Sequence, residues 1–406
     1  MTHLSWVEIS RDNFRHNLTG FRGLLRPQTQ LLTVVKSNAY GHGLVEMGKL
    51  AVEYGSDWLG VVSLDEALKL RAAGVKAPIL VLSFWEKDEV EVSEAIEQGV
   101  SLVVYDYRQL DLLEQLAGKL KIAARAHLKF DVGTTRLGLL AREAEEFLGR
   151  AFSCQNILVE GIFSHLAASE EDAEFTARQK DAFQKIVDLA GVMADRAGCP
   201  RPLAHLACSA AGMLGHDLQF DMTRLGIAAY GLWPSENIRA RMSGSFTLKP
   251  VLSWHTKIIQ VKTVPAGTSI GYDCTYKTER DTQIAVLPVG YYDGIDRHLS
   301  NCGEFLVRGV RCPIRGRVCM NLTMIDVTGM ENVRAGEEVT LIGEQAGCPT
   351  GKAPRCASPA CGRQAFGVEG CPTGRVVSAD DWARWIGTIN YEVVTRINSE
   401  IKRIYI

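Results

Sequence analysis

The chain has 406 residues, 46% hydrophobic and 23% charged, with 45 basic residues against 47 acidic ones. That length is too great for one ordinary core and predicts two domains of a soluble globular protein. Charges that nearly cancel, with no long block of one sign, argue against nucleic acid or an anionic membrane as partner.

The opening MTHLSWVEISRDNF lacks a signal-peptide core, and no stretch nears the roughly 20 apolar residues of a membrane span. A cytoplasmic home is the expectation. The first informative element is LLTVVKSNAYGHG, residues 31–43. An apolar run of this kind is a buried strand, and a lysine at its end is costly to bury unless it has a use. Facing a cleft, the Lys36 amine, with its pKa lowered by partial burial, can form a Schiff base. The bland alternative is a lysine that leaves the sheet into solvent. Asn38 and the glycines predict a turn, with Tyr40 and His42 lining the same opening.

Further apolar runs follow at 58–63, 79–83, 101–105, 124–130, 159–165, 203–209 and 224–232, with helical patterns between most of them. Ser63-Leu-Asp-Glu66 reads as a capping box opening a helix that stops at Gly74, and 172–197 carries apolar residues at helical spacing. Strands alternating with helices pair in parallel, and eight such units predict a (β/α)8 TIM barrel over 1–245. The first ten or so residues could pair with the second domain instead. A doubly wound sheet is the rival, weakened because no glycine-rich dinucleotide fingerprint follows the first strand. Barrel active sites sit at the carboxyl ends of the strands. There this chain carries Lys36, Lys129, His165 and Ser209, with Arg136 in the loop after Lys129.

Residues 246–406 predict a second, mostly β domain. Segments 251–264, 283–289, 304–310 and 317–327 are β-rich, with a turn at Arg308-Gly-Val-Arg311. A helix is expected near 378–388, led by Ser378-Ala-Asp-Asp381. Residues 344–376 form an insertion rich in Gly, Pro and Cys, in which GCPTG occurs twice. Its thiols, Cys348, Cys356, Cys361 and Cys371, could bind zinc, but without a tight C-x2-C knuckle a plain surface insertion competes. The remaining cysteines are scattered singly and read as reduced.

VVKSNAYGHG, KFDVGTTRLG, FSHLAAS, HLACSAA, TRLGIAAYGL, GYDCTY, LPVGYYDG, GRVCM and INYEV follow one another in an order that resembles the alanine racemases, fold-type III pyridoxal-phosphate enzymes, over nearly the whole chain. The resemblance implies that Lys36 carries pyridoxal 5′-phosphate. It also implies a homodimer whose active sites each combine one subunit's barrel with the other's β domain. The implied reaction interconverts L- and D-alanine and supplies D-alanine for peptidoglycan. Racemisation removes the α-proton from one face and returns one to the other, so two acid/base groups must flank the substrate. The resemblance assigns them to Lys36 and Tyr272. A free tyrosine titrates near about pH 10 and needs cationic neighbours, which His165 with Arg224 is expected to supply.

Arg224 is further implied on the cofactor's pyridine nitrogen. A guanidinium does not readily give up a proton, so the ring stays a weak electron sink, which suits racemisation and discourages transamination. Ser209, the amides of Gly226 and Ile227, and the hydroxyls of Tyr40 and Tyr391 are implied for the phosphate. Arg136 and the backbone of Met320 are implied for the substrate carboxylate, with a carbamylated Lys129 fixing Arg136. Tyr391 is expected to narrow the pocket toward alanine and Tyr291 to gate the entrance. Asn321 departs from the family's usual aspartate, and Glu170 from a shorter acid. A broader-specificity (serine) racemase and a decarboxylase of the same fold type are the alternatives, disfavoured by Tyr391 and Arg224 respectively. A non-catalytic pyridoxal-phosphate carrier is the third, disfavoured by the β domain that carries Tyr272.

Overall fold

Apolar runs without polar alternation can be buried on both faces, as in a parallel sheet covered by helices. In the computed structural model, which describes residues 4–85, 88–346 and 375–406, that is their fate. The chain divides into two compact units, Asp12–Lys249 and Met1–Arg11 with Pro250–Ile406. The four thiols considered for zinc, Cys348, Cys356, Cys361 and Cys371, lie outside the described residues.

In Asp12–Lys249 the described residues form eight parallel barrel strands: β1 (Gln30–Val34), β2 (Trp58–Val61), β3 (Ile79–Val81), β4 (Ser101–Val104), β5 (Ala124–Asp131), β6 (Ile157–Phe163), β7 (Leu203–His205) and β8 (Met222–Leu225). Their order is β8-β1-β2-β3-β4-β5-β6-β7. The barrel nearly closes between β7 and β8, where Asp221 N donates to Ala204 O (2.9 Å) and Arg224 N to Ala207 O (3.0 Å). Every residue of β2 and β4 is buried. The long helix runs over Ala173–Ala197; Asp172 caps it by accepting from Phe175 N, and Gly198 (φ 66°) ends it.

The eighth strand is shorter and earlier than the apolar run 224–232 predicts. The chain leaves the ladder at Gly226, and Ile227–Tyr230 is a 3-10 turn. That segment is apolar because it packs inside, with the Tyr230 hydroxyl donating to Val34 O and its ring against Tyr40 and His42. His42 is likewise fully buried and does not line the opening.

In the other unit Ser5–Ile9 pairs antiparallel with Leu252–Lys257 and parallel with Lys402–Tyr405. Gln260–Val264, Thr282–Leu287 and Thr323–Asp326 make a three-stranded antiparallel sheet. Of the run 317–327, only Thr323–Asp326 is strand. The hairpin Glu304–Val307/Val310–Pro313 turns on Arg308 and Gly309, both with positive φ, the backbone of a two-residue turn matched to strand twist. Helix Ala379–Ile386 opens with the reciprocal Ser378–Asp381 box. It buries Trp382 against Trp254 and Phe305, with ring centroids 5.9 and 5.8 Å away. Trp382→Ala is expected to lower the stability of this unit by about 3–5 kcal/mol, read as an earlier urea midpoint.

Candidate active site

Strand ends bring the barrel's candidate residues to one mouth. Lys36 follows β1 and is partly buried; burial lowers its pKa, Arg136 adds to the lowering, and Glu66 opposes it. Lys129, near the end of β5, is almost fully buried, and its amine lies 5.1 Å from the centre of the Phe163 ring. Burial, then the charges of Arg224 and Arg136, push its pKa down to about 8. Arg136 is exposed, and its loop is tied to Asp131: Oδ1 accepts from Gly133 N and Thr134 N, and Oδ2 from Arg136 N, each at 2.8 Å. Ser209 starts the helix Ser209–Leu214 and accepts from Gly226 N at 2.9 Å. Tyr40 closes the turn after Lys36, and burial raises its pKa well above the usual tyrosine range.

Arg224 on β8 is buried, and burial lowers its pKa to about 10, so it stays cationic at neutral pH. Its Nη1 donates to His205 Nδ1 (2.7 Å) and His205 O (3.0 Å). Its Nη2 donates to Ser164 O (2.7 Å), Leu206 O (2.9 Å) and His165 Nδ1 (3.3 Å). A guanidinium cannot accept, so both imidazoles must offer bare Nδ1 atoms and carry their protons on Nε2. His205 Nε2–H then donates to His127 Nδ1 (2.9 Å), which turns His127 Nε2–H toward Glu160 Oε2 at 3.6 Å. Gly161 makes room for this line, since a Cβ there would lie 2.2 Å from His127 Nδ1. At its far end Glu160 accepts from Ser101 Oγ and Arg125 Nη1, each at 2.5 Å. Burial pushes the Glu160 pKa up, but His127 first, then Ser101 and Arg125, outweigh it and hold it at about 2. His165 is not a cation here. Burial, then the Arg224 charge, drops its pKa to about 3, so it joins Arg224 as a neutral hydrogen-bonding link.

The second unit carries the other candidates. Tyr272 sits in the turn Tyr272–Cys274, 69% exposed, beside an ion pair between Asp273 and Arg317 (2.8 Å). Tyr291 N donates to Cys319 O and Tyr292 N to Met320 O, each at 3.0 Å. A Cβ on Gly290 would meet Cys319 O at 2.2 Å, so only glycine permits that approach. Tyr291, Met320 and Asn321 are exposed, and Tyr391, on helix Asn390–Thr395, is half-buried.

The model of the alanine racemase N-terminal domain matches residues 9–234, and that of the C-terminal domain matches 251–361. The chain belongs to the alanine racemase family. It is 37% identical over 406 residues to the alanine racemase of Halothermothrix orenii, covering 100% of this chain and 97% of that protein. It is 35% identical to alanine racemase 2 of Oceanobacillus iheyensis, covering 99% and 93%. Among solved structures, the alanine racemase of Bacillus anthracis with bound L-Ala-P superposes with a TM-score of 0.85 at 34% identity, covering 100% of this chain and 96% of that one. The enzyme from Streptomyces lavendulae gives 0.85 at 31%, covering 100% and 98%.

Within this alanine racemase fold, the parts played by His127, Glu160 and His205 are not marked in the sequence, which marks Glu66 only as half of a helix cap. The signal for one was present: His127 and Lys129 are two apart on one strand and therefore share a face. His165, His205 and His127 all have lowered pKa values, burial being the first cause, so the unfolded chain takes up their protons first. Stability must then fall as pH drops from 6.5 toward 3 for His165, and, for Glu160, as pH falls through 4.5 toward 2. Urea midpoints measured between pH 7 and 4.5 are expected to decline, and His165→Gln to flatten part of that decline.

Proposed function

We propose that the chain interconverts L- and D-alanine with pyridoxal 5′-phosphate, as a cytoplasmic homodimer supplying D-alanine for peptidoglycan. Arg224 carries the reading: a buried cation all of whose hydrogen-bonding partners are neutral. The residues present fit the cofactor. A Cβ on Gly226 would lie 2.9 Å from Tyr40 Oη and 3.7 Å from Ser209 Oγ, so its absence leaves a small hollow lined by hydroxyls. Hydroxyl and amide donors suit a phosphate, and an amine of lowered pKa suits an aldehyde.

Pyridoxal 5′-phosphate, when bound, supplies an electron-withdrawing ring that stabilises negative charge at the substrate's α-carbon. Lys36 would hold it, with Tyr40, Ser209, Tyr391 and the amides of Gly226 and Ile227 around its phosphate. Arg224 would face the pyridine nitrogen as a donor that gives up no proton at neutral pH. Arg136 and the Met320 amide would orient the substrate carboxylate. The Lys36 amine and the Tyr272 hydroxyl would then move the α-proton on opposite faces. Tyr272, Tyr291 and Met320 are exposed on their own unit, which supports a second copy covering them.

With its pKa near 8, Lys129 has a neutral fraction that can add carbon dioxide and lose a proton, giving an anionic carbamate beside Arg136 in place of a repelling cation. Lys129→Ala is expected to raise KM for alanine about tenfold with a smaller change in kcat, because about 1.4 kcal/mol of binding is lost. Steady-state kinetics in both directions check it. The reading as a whole rests on one assay, purified protein with L-alanine followed for D-alanine. No D-alanine and no visible imine absorbance in that sample would defeat it.

A further inference from the structure

The capping box expected at 63–66 forms only by half. Ser63 Oγ accepts from Glu66 N (3.3 Å), but the Glu66 carboxylate reaches other backbones. Its Oε1 accepts from Asn38 N (3.1 Å) and its Oε2 from Val62 N (3.0 Å). Helix Leu64–Ala72 thus sends one side chain across to the turn that follows Lys36.

That turn is unusual. Ser37, Asn38, Ala39 and Tyr40, four successive residues with side chains, have φ between 52° and 55°. The left-handed conformation is unfavourable for each such residue, so the turn persists only where its surroundings hold it. Within the turn Ala39 N donates to Val35 O (2.8 Å), Gly43 N to Asn38 O (2.9 Å) and Leu44 N to Asn38 Oδ1 (2.9 Å). Glu66 supplies an acceptor from a separate element, and a charged one, which strengthens the bond.

We propose that Glu66 is a positioning residue for Lys36: its carboxylate clamps the left-handed turn to the loop after β2 and so sets how the amine enters the mouth. The inference rests on the reading of Lys36 as the cofactor anchor. Its charge acts in the same direction, opposing the loss of the ammonium form that burial and Arg136 promote.

The test compares holoenzymes of the unsubstituted chain, Glu66→Gln, the double variant Ser37→Gly/Glu66→Gln, and Ala67→Gly. Glu66→Gln is expected to raise the Kd for pyridoxal 5′-phosphate about tenfold and to increase deuterium uptake over residues 35–44. Ser37 is exposed, and glycine there removes one left-handed penalty, so the double variant is expected to recover about threefold of the lost affinity. Ala67→Gly weakens the same helix through its lower helix propensity without touching the clamp, and should leave both readouts near those of the unsubstituted chain. Unchanged Kd and uptake in Glu66→Gln, or equal loosening in Ala67→Gly, overturns the inference. If the unsubstituted chain binds no pyridoxal 5′-phosphate, the anchor reading fails instead, and the deuterium comparison still decides the clamp. Should Glu66→Gln not fold, Glu66→Asp, a methylene short of reaching both amides, takes its place with the same expectations.

Discussion

Lys36→Ala, purified from cells supplied with pyridoxal 5′-phosphate, is expected to show no visible imine absorbance. It should interconvert L- and D-alanine at least about a thousandfold more slowly than the unsubstituted chain. The substitution removes an amine that is asked to do two things, to hold the cofactor covalently and to move a proton on one face of the substrate. Its setting suits both, since burial and Arg136 lower its pKa while Glu66 keeps it from falling further. Lys36 is only partly buried and lies outside the strand core, so thermal stability of the cofactor-free protein should stay close to that of the unsubstituted chain. Substantial imine absorbance in Lys36→Ala would show that another amine anchors the cofactor. Lys129 would be the first to suspect, because its pKa is about 8.

Tyr272→Phe should keep the imine absorbance and lose turnover by about 10²–10⁴-fold, the range of a single general acid–base group. The informative signature is asymmetry. In deuterated water one alanine enantiomer should still exchange its α-proton, through Lys36, while the other does so slowly or not at all. Equal retention of exchange from both enantiomers would remove Tyr272 from the reaction. Tyr272 is 69% exposed in the turn Tyr272–Cys274, so removing its hydroxyl is expected to leave the fold of its unit undisturbed. Activity of the variant can therefore be read as chemistry.

Much of the barrel was legible because strands buried on both faces need unbroken apolar runs, and all eight runs appear in order. The exception, 224–232, shows the limit of that signal. A buried 3-10 turn is as apolar as a buried strand, and only the hydrogen bonds distinguish Ile227–Tyr230 from β8. His42 failed for the same reason, since a polar residue beside a turn can be buried against an aromatic ring as easily as it can line a cleft. The role of His165 needed the structure too. Its residue type permits a cation, but its burial beside Arg224 forbids one.

The sequence alone determined the alternation of strand and helix, the change to β structure beyond the barrel, and the residue types at the strand ends. These follow from local periodicity and composition, which short stretches of chain carry by themselves. Only the tertiary structure decided what each polar group faces. It turned Glu66 from a cap into a clamp on the Lys36 turn, and it threaded Arg224, His205 and His127 into one hydrogen-bonded line that ends facing Glu160. Arg224 and His205 lie 19 residues apart along the chain, Asn38 and Glu66 28, and His127 and His205 78, and no local pattern records which donor will meet which acceptor once the barrel closes.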